Sequence, residues 1–299
     1  MSARYLTLRI GPDLVGAEVK TLLRRVLRLS GTVLRRVKWL EDGITLDGAR
    51  VNVRCRVSEG QTLSVRLTDP SPVSGVAPAE GPLDIVFEDP DLIVLNKAPG
   101  VLVHPGHGHL NDTLGNYLMR HYRQTGDESD FHPVHRLDRG TSGLMAVAKH
   151  AHAQEKLKNQ LHTGAFRRVY LAVCDGVPPE PSGMVDAPIG PADVSPAARR
   201  VRPDGKPACT HYKVLQTFGP RSLVELELDT GRTHQIRVHM AHIGCPLTGD
   251  FLYGKAEGAP IARPALHSAR LELDHPITGE RLAFDLPLPE DMQNLIGEA

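Results

Sequence analysis

The chain has 299 residues, and its 35 Lys and Arg are balanced by 35 Asp and Glu, so net charge alone signals no polyanionic partner. No apolar run approaches the ~20 residues that span a bilayer, and Arg4 and Arg9 interrupt the place of a signal-peptide core, so a cytoplasmic protein without membrane contact is expected. The length predicts two domains, and Cys55, Cys174, Cys209 and Cys245 are too scattered for a paired metal motif, which fits a reduced intracellular chain.

Charge is unevenly spread. Residues 1–70 hold 13 Lys and Arg against 7 Asp and Glu, which points to a dedicated polyanion contact. Tyr5, Leu6, Leu8 and Ile10 flank Arg4, Thr7 and Arg9 as in an edge strand. From Pro12 the period becomes helical, with Leu14, Val15, Val19, Leu22, Leu23, Val26 and Leu27 on one face. Lys20, Arg24, Arg25 and Arg28 occupy the rest. A second basic helix over 32–40 would be capped by Ser30 or Thr32. Short strands follow at 44–46, 50–55 and 62–67, joined by Asp47-Gly48 and Glu59-Gly60 turns. Two basic helices and then a small sheet are similar to the RNA-binding module named after ribosomal protein S-four. That resemblance implies a small basic α/β RNA-binding domain over 1–70; a structural cap for a larger domain is the alternative. Pro70, Pro72, Pro78 and Pro82 mark 71–82 as a linker, and 83–299 would be the second domain.

That domain opens with a hairpin, 83–87 and 92–96, around an acidic turn. Lys97-Ala98-Pro99-Gly100 follows, with Lys97 expected to brace the loop. His104, His107 and His109 lie close together, but with no Cys nearby and no helical His-x-x-x-His spacing they read as a turn. A helix is predicted over 113–123. Asp138 then stands between Arg136 and Arg139, ahead of Gly140-Thr141-Ser142-Gly143 and the apolar run Leu144 to Ala148. The carboxylate thus sits on a loop feeding a buried strand. Flanking guanidiniums within salt-bridge reach would favour its charge by roughly 1–3 pKa units. A held, ionised Asp can serve as nucleophile or base; a solvated surface charge cluster is the bland alternative. A helix over 150–162 and a strand over 166–173 come next. Residues 176–208 read as a mobile loop, basic at Arg199, Arg200, Arg202 and Lys206. Strands at 209–216 and 222–228 lead to Thr230 through Gly244, helical from Arg232. Closing strands near 271–273 and 282–284 precede a Pro-rich tail.

The run His135-Arg136-Leu137-Asp138-Arg139-Gly140-Thr141-Ser142-Gly143 resembles the signature of the RluA-type pseudouridine synthases, which modify uridines in ribosomal and transfer RNA. Lys97 to Pro105 and Thr230 to Gly244 are similar to that family's first and third motifs, with Ala98 where relatives often carry Pro. Gly249-Asp250 and Tyr253-Gly254 continue the pattern. Over roughly 83–290 the resemblance implies an α+β fold with a mixed, mostly antiparallel central sheet and flanking helices. It implies an isomerase in which Asp138 is the catalytic residue, Tyr170 lies against the target base and Arg237 pairs with Asp138. Ile236 would pack on the base, Arg136 would fill the gap left by the extruded nucleotide, and Arg232 and Gln235 would bind substrate. The rearrangement requires no cofactor, and no metal is expected. The partner would be RNA, large-subunit ribosomal RNA first and transfer RNA second, acted on by a monomer. A non-catalytic RNA-binding or ribosome-assembly factor is the rival reading. A glycoside or nucleoside hydrolase would want a second converging carboxylate; Asp229, Asp250 and Glu227 read as structural acids.

Overall fold

The computed structural model describes residues 3–68, 74–161, 163–193, 195–255 and 257–297, so residues 71–73 of the expected linker lie outside the described residues. Strands β1 (Tyr5–Arg9), β2 (Ile44–Leu46), β3 (Ala49–Arg50) and β4 (Thr62–Arg66) form an antiparallel sheet in the order β1-β4-β2-β3. Against it pack a short α1 (Val19–Thr21), continued as a π-turn over Leu22–Val26, and α2 (Gly31–Val37). Val19, Leu22, Leu23, Val33 and Val37 bury their side chains with Ile44, Leu63 and Val65. Ser30 Oγ accepts from the Val33 amide at 3.3 Å and caps α2.

The first helix is shorter than its apolar period predicts. Pro12–Leu14 makes only a 3-10 turn, and Gly16 turns the chain at φ 76°. Amides 16, 19 and 20 then bond to the carbonyls of Val57, Cys55 and Val53. Ladder-like bonding has taken the donors an earlier helical turn would need. The wider π-turn, closed by Leu27 N to Leu22 O, rotates Val26 outward, and Val15 and Val26 are exposed rather than inward.

The second sheet has ten strands. Along the chain these are β5 (Ile85–Glu88), β6 (Leu92–Lys97), β7 (His132–Pro133), β8 (Ser142–Ala148), β9 (Arg167–Asp175) and β10 (Ser182–Asp186). A separate hairpin, β11 (Ile189–Ala192) with β12 (Ser195–Val201), precedes β13 (Cys209–Phe218), β14 (Arg221–Leu228), β15 (Leu266–Asp274) and β16 (Arg281–Asp285). The order is β10-β13-β14-β9-β15-β8-β6-β5, with β16 on β15 and β7 on β8. Among the described residues β8 and β15 are the one parallel pair. The sheet is thus mixed and mostly antiparallel, with helices α3 (Leu114–Thr125), α4 (Ala151–Gln160), α5 (Gln235–His242) and α6 (Glu290–Gly297) around it. Thr113 and Asn116 form a capping box at the start of α3. No described helix is long and apolar enough to cross a membrane.

Two stretches differ from expectation. The supposed mobile loop at 176–208 holds β10 and the β11–β12 hairpin; its Pro and Gly punctuate strands instead of abolishing them. The Pro-rich tail is followed by α6, whose Met292 and Leu295 are buried against Val173 and Phe218. The two sheets are tied by Arg4, whose guanidinium grips Asp91 at 2.8 and 2.9 Å, and by Arg66, which reaches Glu128. Ser74 and Ala79 are held by Asp130 and Asn116, so this part of the expected linker is bound along the larger sheet.

The parallel junction needs a glycine. His267 pairs with Ser142 and Ser268 with Gly143. Gly143 sits at φ 106°, and a Cβ there would lie 2.3 Å from the Ser268 carbonyl oxygen. Gly143→Ala is expected to cost about 2–3 kcal/mol through this clash and the positive φ. Chemical denaturation checks it: the midpoint falls with little change in slope, and an unmoved midpoint would refute the close approach.

Candidate active site

Asp138 lies on the loop entering β8, at the centre of the large sheet. Its own carbonyl accepts from Thr141 N at 3.1 Å, which closes a tight turn. The loop is braced from the side by Lys97. That buried ammonium donates to the carbonyls of Ala98 (2.8 Å), Val101 (2.9 Å) and Arg139 (3.3 Å), spending all three donors. Burial pushes Lys97 down to about 7, with the Asp138 charge opposing. Gly100 N adds a 2.7 Å bond to Arg139 O.

The flanking arginines do not supply the charge partner. Arg139 turns its Nε to Gly100 O at 3.0 Å, and Arg136 is exposed at the rim. The carboxylate of Asp138 instead faces Arg237 of α5, with Nη1 to Oδ2 at 3.7 Å.

Arg237 is buried and is itself held from behind. Its Nε and Nη2 donate to the two oxygens of Asp250 at 2.7 and 2.8 Å, a bidentate geometry of the strong kind. Asp250 is fully buried, and its Oδ1 also accepts from the amides of Leu252 (3.0 Å) and Tyr253 (3.2 Å). The rings of Tyr253 and Phe251 lie 5.0 and 5.6 Å from the guanidinium carbon, within cation–π range. Burial works against the charge on Arg237, yet Asp250 and then Asp138 hold its pKa above the ordinary value. The acid read as structural from sequence is therefore the one that orients the guanidinium, and the reading of Asp250 as bland is corrected.

Tyr170 comes from β9, opposite Leu226 and Ser268, and lines the same small cleft as Asp138, Arg237 and Ile236. Its phenol is buried, and burial raises its pKa. Leu137, Leu228 and Leu266 complete an apolar wall. Arg136 and Arg232 line the cleft's outer part; Arg232 Nε also donates to Pro207 O at 2.9 Å. Gln235 has its amide fully engaged. Its oxygen accepts from Thr230 Oγ1 (2.8 Å) and Arg232 N (2.9 Å), and its nitrogen donates to Cys209 O (2.8 Å) and Thr210 Oγ1 (3.0 Å). All four hydrogen-bonding capacities are used, so it holds the turn before α5 while lining the cleft.

Sequence reasoning also missed His234 and Tyr253. His234 adopts a left-handed φ of 59° and bonds through Nδ1 to the Tyr253 hydroxyl at 2.8 Å. Burial lowers its pKa. The signal available was the Gly249-Asp250 and Tyr253-Gly254 spacing. Gly249, at φ 74°, approaches the carbonyls of Arg263 and Ile261 too closely for a side chain, which fixes the turn that presents Asp250. Of the three clustered histidines, His104 packs edge-on to Phe131 and His109 pairs with Asp112 at 2.6 Å.

A mixed, mostly antiparallel sheet of this kind is shared with solved pseudouridylate synthases. The structure resembles Human RNA Pseudouridylate Synthase Domain Containing 1 with a TM-score of 0.57 and 26% identity, over 73% of this chain and 94% of that one. The RNA pseudouridylate synthase family profile matches residues 91–242, and the chain belongs to that family. It is 43% identical over 263 residues to the uncharacterised RNA pseudouridine synthase YlyB of Bacillus subtilis, covering 87% of this chain and 86% of the relative. It is also 41% identical to ribosomal large subunit pseudouridine synthase D of Pseudomonas aeruginosa, over 85% and 83% of the two chains. The protein is thus an RNA pseudouridine synthase of the RluA type, an isomerase, and the hydrolase and non-catalytic readings give way to it.

Asp250→Asn removes one end of the buried pair. It is expected to lower stability by about 3–5 kcal/mol and, by loosening Arg237, to reduce turnover about a hundredfold. Denaturation and pseudouridine-formation assays check it; parental turnover in the folded variant would contradict the positioning role.

Proposed function

We propose that this synthase modifies uridine in large-subunit ribosomal RNA and that Asp138 carries the reaction as nucleophile or base. The observation behind the mechanism is the meeting of Asp138, Tyr170 and Arg237 in one cleft. The target reading is supported by relatives named ribosomal large subunit pseudouridine synthase D, at 40–41% identity over most of their length.

In the reaction the bond from N1 of uracil to C1′ of ribose breaks, the base turns, and C5 joins C1′ while the hydrogen on C5 is lost and N1 gains one. Atoms and oxidation state balance within the substrate, so no donor or redox partner is needed. Arg237 pairs with Asp138 and keeps it aimed into the cleft. Tyr170 stacks on the detached base and offers a phenol for proton exchange. Ile236 packs on the base from the other wall. Arg136 enters the gap in the RNA, and Arg232 meets the strand at the rim. Extruding a nucleotide costs a few kcal/mol, least in an unpaired loop, which favours a structured loop as substrate.

Residues 1–70 act as an RNA-binding domain joined by 71–82 to the synthase domain 83–299, and the protein works as a monomer. Support comes from α2 and its end, where Arg35, Arg36 and Lys38 stand beside Trp39. The Trp39 ring is 75% exposed, with the Lys38 ammonium 4.7 Å from its centre. Cations and an aromatic face together suit phosphate and base contacts.

Asp138→Asn should fold and bind RNA yet lose at least about a thousandfold in turnover; near-parental activity would reject the assigned role. Mapping pseudouridines in total RNA from a strain lacking the protein should show a lost site in large-subunit ribosomal RNA, and loss in transfer RNA alone would move the target. For the amino-terminal domain, deletion of residues 1–75 should weaken RNA binding in a gel shift, and equal affinity would leave it a structural cap.

A further inference from the structure

One cluster of chemically distinctive side chains lies outside the reacting residues. Cys209 and His211 stand two apart on β13, so their side chains share one face of the sheet. Thr210 pairs with Leu228 of β14, and Asp229 N donates to Cys209 O at 3.3 Å. The register thus sets Asp229 opposite Cys209 on that same face. The imidazole Nε2 of His211 lies 2.8 Å from Asp229 Oδ2 and 3.8 Å from Cys209 Sγ. All three donor atoms fall within 4.8 Å of one another.

The strand register sets thiol, imidazole and carboxylate side by side, and the His211–Asp229 pair leaves the thiol a weak 3.8 Å contact to the same imidazole nitrogen. A tetrahedral zinc-class ion uses all three. With metal–sulfur bonds of about 2.3 Å and metal–nitrogen and metal–oxygen bonds of about 2.0–2.1 Å, it needs sulfur and nitrogen about 3.6 Å apart and nitrogen and oxygen about 3.3 Å apart. The sulfur–nitrogen and nitrogen–oxygen separations require adjustments of about half an ångström or less to meet those values. The mixed sulfur, imidazole and carboxylate set selects a borderline-soft cation over magnesium or calcium. Neighbouring charge favours it too. Asp186 of β10 is opposite Cys209, while Glu227, opposite His211, is occupied by Arg167. The backbone beneath is held in place, since Cys209 N donates to Thr230 Oγ1 at 3.1 Å and Gln235 Nε2 to Cys209 O at 2.8 Å.

We propose that Cys209 Sγ, His211 Nε2 and the Asp229 carboxylate form a site for one zinc-class divalent cation, with its fourth position open to solvent. Asp229 and the following Thr230-Gly231-Arg232 line the outer part of the groove that contains Asp138. The ion sits at the lip of that groove and rivets β13 to the end of β14, just before the turn that leads into α5. The isomerisation makes no use of it. The site steadies the strand end from which Arg232 projects.

The test uses the full-length protein without a polyhistidine tag, titrated with cobalt(II) and with zinc. One equivalent of cobalt should bind with a thiolate-to-metal charge-transfer band, zinc should displace it, and zinc should raise the melting temperature. Cys209→Ser should abolish the band and His211→Ala should weaken binding by about tenfold or more, while Cys55→Ser keeps both. Absence of the band, its persistence in Cys209→Ser, its loss in Cys55→Ser, or unchanged affinity in His211→Ala would each overturn the assignment.

Discussion

The site rests on a buried guanidinium held between two carboxylates of unequal exposure. Asp250 grips Arg237 through two hydrogen bonds from behind, and Asp138 approaches it from the cleft at 3.7 Å. Taking three charges out of water is costly unless each finds partners. The sheet provides them: backbone amides for Asp250, aromatic faces for Arg237, and residual solvent for Asp138, whose side chain stays 18% exposed. The asymmetry is geometric. Asp250 has its partners satisfied, whereas Asp138 keeps a long ion pair and an open side toward the cleft.

That arrangement depends on the junction at the middle of the sheet. The Asp138 loop enters β8, and β8 meets β15 over a short parallel contact that only a side-chain-free Gly143 permits. Tyr170 arrives from β9 on the other flank of β15. Four well-separated parts of the chain thus converge: the Lys97 brace, the Asp138 loop, the Tyr170 strand and the Arg237 helix with its Asp250 turn. Lys97 shows how rigidly the loop is set, because three carbonyls claim its ammonium even as burial lowers its pKa. A loop clamped in this way holds the carboxylate in one position.

Arginines line the groove around this centre. Arg136 and Arg232 mark its outer edges, and the β11–β12 hairpin carries Arg199, Arg200 and Arg202 beside it. Balanced total charge conceals this. Arg200 and Arg202 pair with Asp193 and Asp204, and the cleft beside Asp138 draws its positive lining from Arg136, Arg168 and Arg232.

Much was legible in the linear chain because it is local. The buried strand at Leu144 to Ala148 follows from an uninterrupted apolar run, and all seven residues of β8 are buried. The cap at Ser30, the hairpin of β5 and β6, and the acid on a loop feeding β8 also depend on near neighbours in sequence. The first helix was misjudged because a competing partner, the Val53–Val57 segment, is invisible to periodicity. The strands in 176–208 and the final helix were missed because Pro and Gly content was weighed above the short apolar positions between them.

What the sequence determined by itself was the candidate acid at Asp138, the order of the motifs around it and the class of chemistry they serve. Tertiary structure alone decided the charge partners. Arg237 pairs with Asp250 behind and Asp138 ahead, Gln235 turns inward, and Asp229 comes beside Cys209 and His211. Spacing along a chain fixes which residues share a helix or strand face, but register between strands 18 or more residues apart is set by packing and hydrogen-bond closure. Those contacts exist only once the sheet has formed.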